Sequence, residues 1–408
     1  MVKRVGYIVS NFPCYSETFI LREMWELKRR GYDIFVFSLK RTSEVIFQPQ
    51  YLEFRDRIFY FSFKGVFFSR KCWHFVLKNL FKILKIFIFV ATHTIDKPLV
   101  FLKNMYVLLE SIYFSLIARD VKIHLLHSHF ANYPASCAYF ISYFLQIPFS
   151  FTMHAHDIFK DTHLLDKKIE SAKKVISISD FNKNYVLKLF PYIDESKIEV
   201  IHCGIDVHKF CPQNRLFREN KLKIISVGRL VPTKGFDTLV RFCFFLKNKG
   251  VDFRCLIIGG GPLEERLKKL IFNLGLREYV NLTAPQAENK LLRYYQESDF
   301  FILPAKKVLS WPDVQDGIPV TLMEAMSMEL VVVSSPISGI PELIEDGKNG
   351  FLIPPPHYKH RLWNIIKIFI EEPQRFNSIR KNARKKILEE FNLKHTVSRF
   401  EEVVLKDA

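Results

Sequence analysis

The chain has 408 residues, 49% hydrophobic and 25% charged, which is room for two or three ordinary domains at average globular usage. Those proportions exclude a mainly disordered, collagenous or disulfide-scaffold protein. Lys and Arg number 60 against 42 Asp and Glu, a net charge of +18 that points to an anionic partner.

Along the chain, short apolar runs alternate with amphipathic stretches, the pattern of parallel sheets covered by helices. The first series predicts a strand at Arg4 to Ser10, a loop at 11 to 16, and a helix from Glu17 to Arg30 that stops at Gly31. Strands follow at Asp33 to Leu39, Ile123 to Ser128, Phe149 to Met153, Lys174 to Ser179 and Ile198 to Ile201. Residues 60 to 119 interrupt this alternation with Phe61, Phe63, Trp73, Phe75, Phe81, Phe87 and Phe89 among Arg70, Lys71, Lys78, Lys82 and Lys85. From Trp73 to Ile88 the spacing predicts one amphipathic helix with Lys78, Lys82 and Lys85 on a common face. Two readings stay open there: a helix packed on the first sheet, or a surface lying on an anionic membrane. Charge alone argues for nucleic acid, with no recognition motif, so that partner is not expected.

Residues 204 to 220, with Pro212 and no periodicity, read as a linker. The second series predicts strands at Leu222 to Val227, Phe253 to Ile258, Tyr279 to Leu282, Phe300 to Leu303, Leu330 to Ser334 and Gly350 to Ile353. Residues 358 to 405 read as basic helices. The expected organisation is a first domain over 1–203, a second over 221–390, and a terminal helix over 391–408 that returns to the first. The fold class is α/β, two doubly wound domains with a crevice between them. The seven Cys form no CxxC pair and no metal-ligand spacing, the start carries no secretion signal, and the apolar run Ile83 to Ala91 is too short to span a bilayer. A reduced, cytoplasmic protein, soluble or peripheral, is the expectation.

Eleven of the 15 Gly lie between Gly228 and Gly350, where chemistry-bearing turns concentrate. The strand ending at Val227 runs into Gly228, Arg229, Lys234 and Gly235, a turn whose two cations suit a diphosphate. Gly259, Gly260 and Gly261 follow another strand and allow a ligand or a neighbouring loop to approach backbone; their spacing is not the nicotinamide fingerprint. Asp316, Gly317, Ile318, Pro319 and Val320 lead into a helix carrying Glu324, so unpaired N–H groups could hold phosphate, and Asp316 is also a plausible cap. His124, His127 and His129, with His154, His156 and Asp157, could be drawn as a metal site, but His127 and His129 are preferably read as strand-end residues beside a cleft and no metal is expected.

In this order, the Ser16-Glu17-Thr18-Phe19 loop, His154, the Gly228 to Gly235 turn, the triple glycine and the run Gly317 to Met326 resemble the GT-B glycosyltransferases. The resemblance is to the large retaining family 4, and within it to colanic-acid biosynthesis transferases. It implies a nucleotide-diphosphate sugar, UDP- or GDP-linked, as co-substrate without a metal cofactor. It also implies a lipid-linked saccharide acceptor in surface polysaccharide assembly at the inner face of the plasma membrane. By the same resemblance Arg229 and Lys234 meet the diphosphate with backbone from Gly317, Ile318, Pro319 and Val320, while Ser16, Glu17 and Thr18 cover it. Glu324, Gly259 and Gly260 border the nucleoside, His154 lies beside the transferred sugar, and Asp316 replaces the glutamate that contacts it. That replacement keeps open a non-catalytic nucleotide-sugar binder, and a soluble acceptor is the other alternative.

Overall fold

The computed structural model describes residues 3–42, 48–67, 69–160, 162–213, 221–308, 315 and 317–406. The chain divides into two compact units, Met1–His202 with Val397–Ala408, and Cys203–Thr396.

The first unit is built from β1 (Arg4–Phe12), α1 (Thr18–Arg29), β2 (Asp33–Arg41), β3 (Ile58–Tyr60), α2 (Phe63–Phe67), α3 (Arg70–Lys78), α4 (Leu80–Thr94) and α5 (Pro98–Asp120). There follow β4 (Leu125–His129), α6 (Tyr133–Leu145), β5 (Phe149–Met153), α7 (His156–Phe159), α8 (Leu165–Ser171), β6 (Lys174–Ser177), α9 (Asp180–Leu189) and β7 (Ile198–Val200). Its seven strands are parallel in the order β3-β2-β1-β4-β5-β6-β7. Central strands are buried on both faces, as in β5, whose five residues are all buried, including Ser150 and Thr152. The added edge strand β3 is three partly exposed residues, too short to leave a period.

Residues 63–120 depart from the sequence expectation. The single amphipathic helix from Trp73 to Ile88 is two helices, because α3 stops at Asn79, whose side-chain amide donates to the Phe75 carbonyl at 2.9 Å. Lys82 does not share a surface with Lys78 and Lys85: its Nζ donates to the Tyr143 and Phe144 carbonyls at 3.3 and 2.9 Å, neutralising the open end of α6. Lys78 and Lys85 are exposed. The packed side of these helices is formed by Cys72, Phe75, Ile86, Val90, Val107, Leu108 and Ile112. Outside, Trp73, Leu77, Leu80, Phe81, Leu84, Phe87, Ile88, Leu99 and Leu102 face solvent, with Leu77 and Phe81 each 69% exposed. The 23-residue α5 is long and apolar enough to cross a membrane, a length missed in the sequence, but half of its most apolar window is buried inside the protein.

The second unit contains β8 (Leu222–Val227), α10 (Phe236–Asn248), β9 (Phe253–Ile258), α11 (Glu264–Asn273), β10 (Val280–Thr283), α12 (Glu288–Gln296), β11 (Phe300–Leu303) and α13 (Val320–Ser327). It continues with β12 (Val331–Ser334), α14 (Ile340–Leu343), β13 (Phe351–Leu352), α15 (Tyr358–Glu371), α16 (Asn377–Glu390) and the start of α17 (Leu393–Phe400). Six parallel strands run β10-β9-β8-β11-β12-β13. α16 is tied to the core by Arg384, which donates to the Phe210 and Ser327 carbonyls at 3.0 and 2.6 Å. From Val397 onward the chain belongs to the first unit, where Arg30 reaches Glu401 at 3.1 Å and Tyr32 donates to it at 2.8 Å.

Candidate functional site

In open parallel sheets, ligands collect beyond the carboxyl ends of the strands where the strand order reverses. In the first sheet that point lies between β1 and β4, which places there the loop after β1, the start of α1, His129 at the end of β4, and His154 after the neighbouring β5. Ser16 is exposed on this loop and Glu17 immediately precedes α1, so the predicted segment Ser16 to Thr18 borders the reversal. Phe19, one residue on, packs its ring 4.7 Å from that of His154. The structure thus brings the loop and His154 together.

His154 is the end of a hydrogen-bonded chain. Its Nε2 meets His129 Nδ1 at 3.0 Å, His129 Nε2 meets Glu23 Oε1 at 3.2 Å, and the Tyr7 hydroxyl donates to the same Oε1 at 2.7 Å. Burial holds the His154 imidazole well below the usual histidine range, with His129 and His156 adding repulsion. His127 is depressed likewise, by burial first and then by His129 and His154. The backbone around this chain is clamped: the Asp157 carboxylate accepts N–H bonds from Ala131, His154 and Ala155 at 2.7 to 3.1 Å. The buried Lys168 ammonium donates to the Ala131 carbonyl from the other side, and the Asn182 amide holds the His154 carbonyl. Phe130 is kept at φ 76°, a strained value for a non-glycine residue, and its ring lies 4.7 Å from His154.

Among the described residues, Glu23, His127 and His129 bring ligand-type atoms within 4.8 Å of one another and could hold a metal ion. Both His127 nitrogens, however, face hydroxyls, Ser150 at 2.8 Å and Thr152 at 3.1 Å, and would have to leave them. Glu23 and Lys168 carry no local motif in the sequence. Glu23 reaches His129 across 106 residues, and only the α1 periodicity, which turns it toward the sheet, hints at it.

In the second sheet the order reverses between β8 and β11. The loop after β8 carries Arg229, exposed, and Lys234, buried with its Cε 3.5 Å from where a side-chain carbon on Gly228 would lie. Gly235, at φ +68°, permits this turn, because a side-chain carbon there would sit 1.9 Å from the Pro304 carbonyl oxygen. The triple glycine locks onto the same loop: Leu230 donates to the Gly260 carbonyl at 2.9 Å, and a side chain on Gly259 would strike the Gly228 carbonyl at 1.9 Å. A neighbouring loop thus approaches Gly259 and Gly260 closely.

Past β11, Gly317, Ile318 and Pro319 are buried and Val320 opens α13, whose Glu324 is 3% exposed and accepts from the Tyr295 hydroxyl at 3.1 Å. Asp316, expected beside the sugar, lies outside the described residues. Thr283 ends β10, Thr321 is in the first turn of α13, Thr233 lies in the loop after β8, and Ser335 and Ser338 lie in the loop after β12. Each has a buried hydroxyl oxygen with no hydrogen-bond partner among the described residues. Orphaned buried hydroxyls are uncommon, and their gathering at one sheet edge fits a polar ligand. Two cations, a helix N-terminus and a buried carboxylate together can hold a diphosphate and a hydroxylated group beyond it.

Both halves of the chain resemble known proteins. Residues 16–209 match the family model described as Glycosyltransferase Family 4, and residues 209–386 the one described as Glycosyl transferases group 1. The colanic acid biosynthesis glycosyltransferase WcaL of Escherichia coli is 35% identical over 196 residues, 48% of each chain. The amylovoran biosynthesis glycosyltransferase AmsK of Erwinia amylovora is 41% identical over 158 residues, 39% of this chain and 38% of that one. These matches span about half the length, or less, of the curated relatives. Among solved structures, a glycosyltransferase from Rickettsia africae superposes with a TM-score of 0.71 at 20% identity over 100% of both chains. Anabaena HepE in complex with UDP gives 0.70 at 16% over 99% of both. The chain thus joins a Glycosyltransferase Family 4 first half to a Glycosyl transferases group 1 second half, and its two Rossmann-like halves have the GT-B fold of these structural neighbours.

Proposed function

We propose that the protein transfers a hexose, with retention, from a UDP- or GDP-sugar to a lipid-linked saccharide during assembly of a surface polysaccharide, working at the inner face of the plasma membrane. The carrying observation is the carboxyl side of the second sheet, where the loop with Arg229 and Lys234 follows β8, the α13 N-terminus and buried Glu324 follow β11, and the loops carry buried hydroxyls that lack partners among the described residues. Cleavage at the anomeric carbon leaves negative charge on the diphosphate. Preorganised cations and N–H groups stabilise that charge, so Arg229 and Lys234 do the work a metal does elsewhere. Relatives named for colanic acid and amylovoran biosynthesis support the polysaccharide setting.

The membrane side of the proposal rests on residues 60–109, where eight Lys and Arg stand against one acidic residue, Asp96. Exposed Lys64, Lys78, Lys85, Lys97 and Lys103 surround the solvent-facing apolar side chains of α3 to α5, a composition suited to anionic headgroups. A thermal-shift panel of nucleoside diphosphates and nucleotide sugars tests the donor. A cognate ligand at 100 times its dissociation constant stabilises by about 2.7 kcal/mol, and Arg229→Ala with Lys234→Ala should abolish the shift. No shift from any UDP or GDP compound would sink the donor assignment.

A further inference from the structure

We propose that Glu23 and His129 are positioning residues that fix the tautomer of His154, so that His154 presents an unprotonated Nδ1 and receives a hydroxyl of its ligand, not a phosphate oxygen. The argument follows the proton along the chain of contacts. A carboxylate accepts only, so Glu23 Oε1 takes hydrogen bonds from the Tyr7 hydroxyl and from His129 Nε2–H. A neutral His129 protonated at Nε2 leaves Nδ1 as an acceptor, and the 3.0 Å contact then requires His154 to donate from Nε2. His154 is left with Nδ1 as its lone-pair nitrogen.

Each member is held in this pattern. Tyr7 is fully buried and remains a phenol, its ionisation pushed well up by burial and by Glu23. The titratable groups around His154 are His129, His156 and Asp157, and Asp157 spends its carboxylate on backbone N–H groups. Burial and the neighbouring imidazoles keep His154 neutral. His127 stays out of the chain, with both nitrogens on Ser150 and Thr152. A neutral ring with its lone pair on Nδ1 repels phosphate oxygens, which are acceptors too, and matches the O–H of a sugar. Anion binding therefore falls to other residues. Only the identity of the ligand rests on the transferase reading.

The test uses the full chain labelled with ¹⁵N-histidine and two-bond ¹H–¹⁵N correlation spectra, with His154 assigned by its loss in His154→Gln. Between about pH 6 and 8, spanning the ordinary histidine range, His154 should show a protonated Nε2 and an unprotonated Nδ1. Glu23→Gln, which keeps a carbonyl acceptor, should retain that pattern, and Glu23→Leu should give both tautomers. A proton on Nδ1 of His154 in the wild type, or one unmixed tautomer in folded Glu23→Leu, overturns the relay. Should Glu23→Leu fail to fold, the wild-type spectrum decides alone. With a donor in hand, Glu23→Leu should lower kcat about tenfold, equivalent to about 1.4 kcal/mol, with KM little changed; a rise in KM alone contradicts a positioning role. A chain with the expected spectrum that turns over no nucleotide sugar refutes the transferase reading and leaves the relay standing.

Discussion

Replacing Glu110 with Gln should stabilise the first unit strongly at alkaline pH and hardly at all in acid. Glu110 lies on α5 at 1% exposure, and its Oε1 has no hydrogen-bond partner among the described residues. Burial outweighs the attraction of Lys40 and pushes the carboxyl up from 4.5 to about 8. The folded chain therefore keeps a proton that the unfolded chain releases. The stability that proton confers is complete below 4.5 and is lost as pH rises through 8. A difference of roughly 3.5 units at about 1.36 kcal/mol each makes the full cost about 4 to 5 kcal/mol. Gln is neutral at every pH and close in shape, so it escapes that cost. Thermal unfolding of both proteins at pH 5 and 9 should give similar midpoints in acid and a gap on the order of 10 °C at pH 9. Equal midpoints at pH 9, or the same gap at both values, would refute the reasoning, because burial without a charge penalty would act alike at each.

Stability should also fall on the acid side. His127 and His154 are held below the ordinary histidine range, so the unfolded chain binds protons first and stability drops as pH falls below about 6.5. The slope approaches about 1.4 kcal/mol per pH unit for each ring, and His127→Gln should flatten it in a pH series of urea melts. Gly235→Ala forces a carbon to 1.9 Å from the Pro304 carbonyl at a left-handed φ, which should cost at least about 1 to 3 kcal/mol and remove nucleotide stabilisation; an unaltered thermal shift would count against this turn as the diphosphate loop. Lys78→Glu with Lys85→Glu should release the protein from vesicles containing phosphatidylserine. Lys82→Met should instead lower the melting temperature without changing sedimentation, since Lys82 caps α6. Sedimentation unmoved by the double charge reversal would contradict the membrane surface.

Local patterning made most of the architecture legible. Phe149–Met153, Leu222–Val227, Phe253–Ile258 and Phe300–Leu303 are strands at the expected boundaries, because each is a short, mostly buried run rich in apolar residues. The failures have physical reasons. Asn79 splits a helix whose periodicity continues across it, and Lys82 satisfies carbonyls 61 and 62 residues away. Periodicity reports a face, not the partner lying against it. In the second unit the glycines and cations of the Gly228 to Gly235 turn were visible, since a side-chain carbon on Gly235 would sit 1.9 Å from a carbonyl oxygen and no other residue fits there. In the first, His129 and His154 were visible as strand-end histidines, whereas Glu23 was silent: its partner is set by the crossover topology that aligns β1 with β4.

The most direct measurement supplies the purified protein with a UDP- or GDP-sugar labelled in the sugar, together with membranes carrying lipid-linked saccharides, and follows the label. The account predicts that it moves into the solvent-extractable lipid fraction with stoichiometric release of the nucleoside diphosphate, and that Lys234→Ala stops both. Label that remains on the donor, or is released only as free sugar, would contradict it.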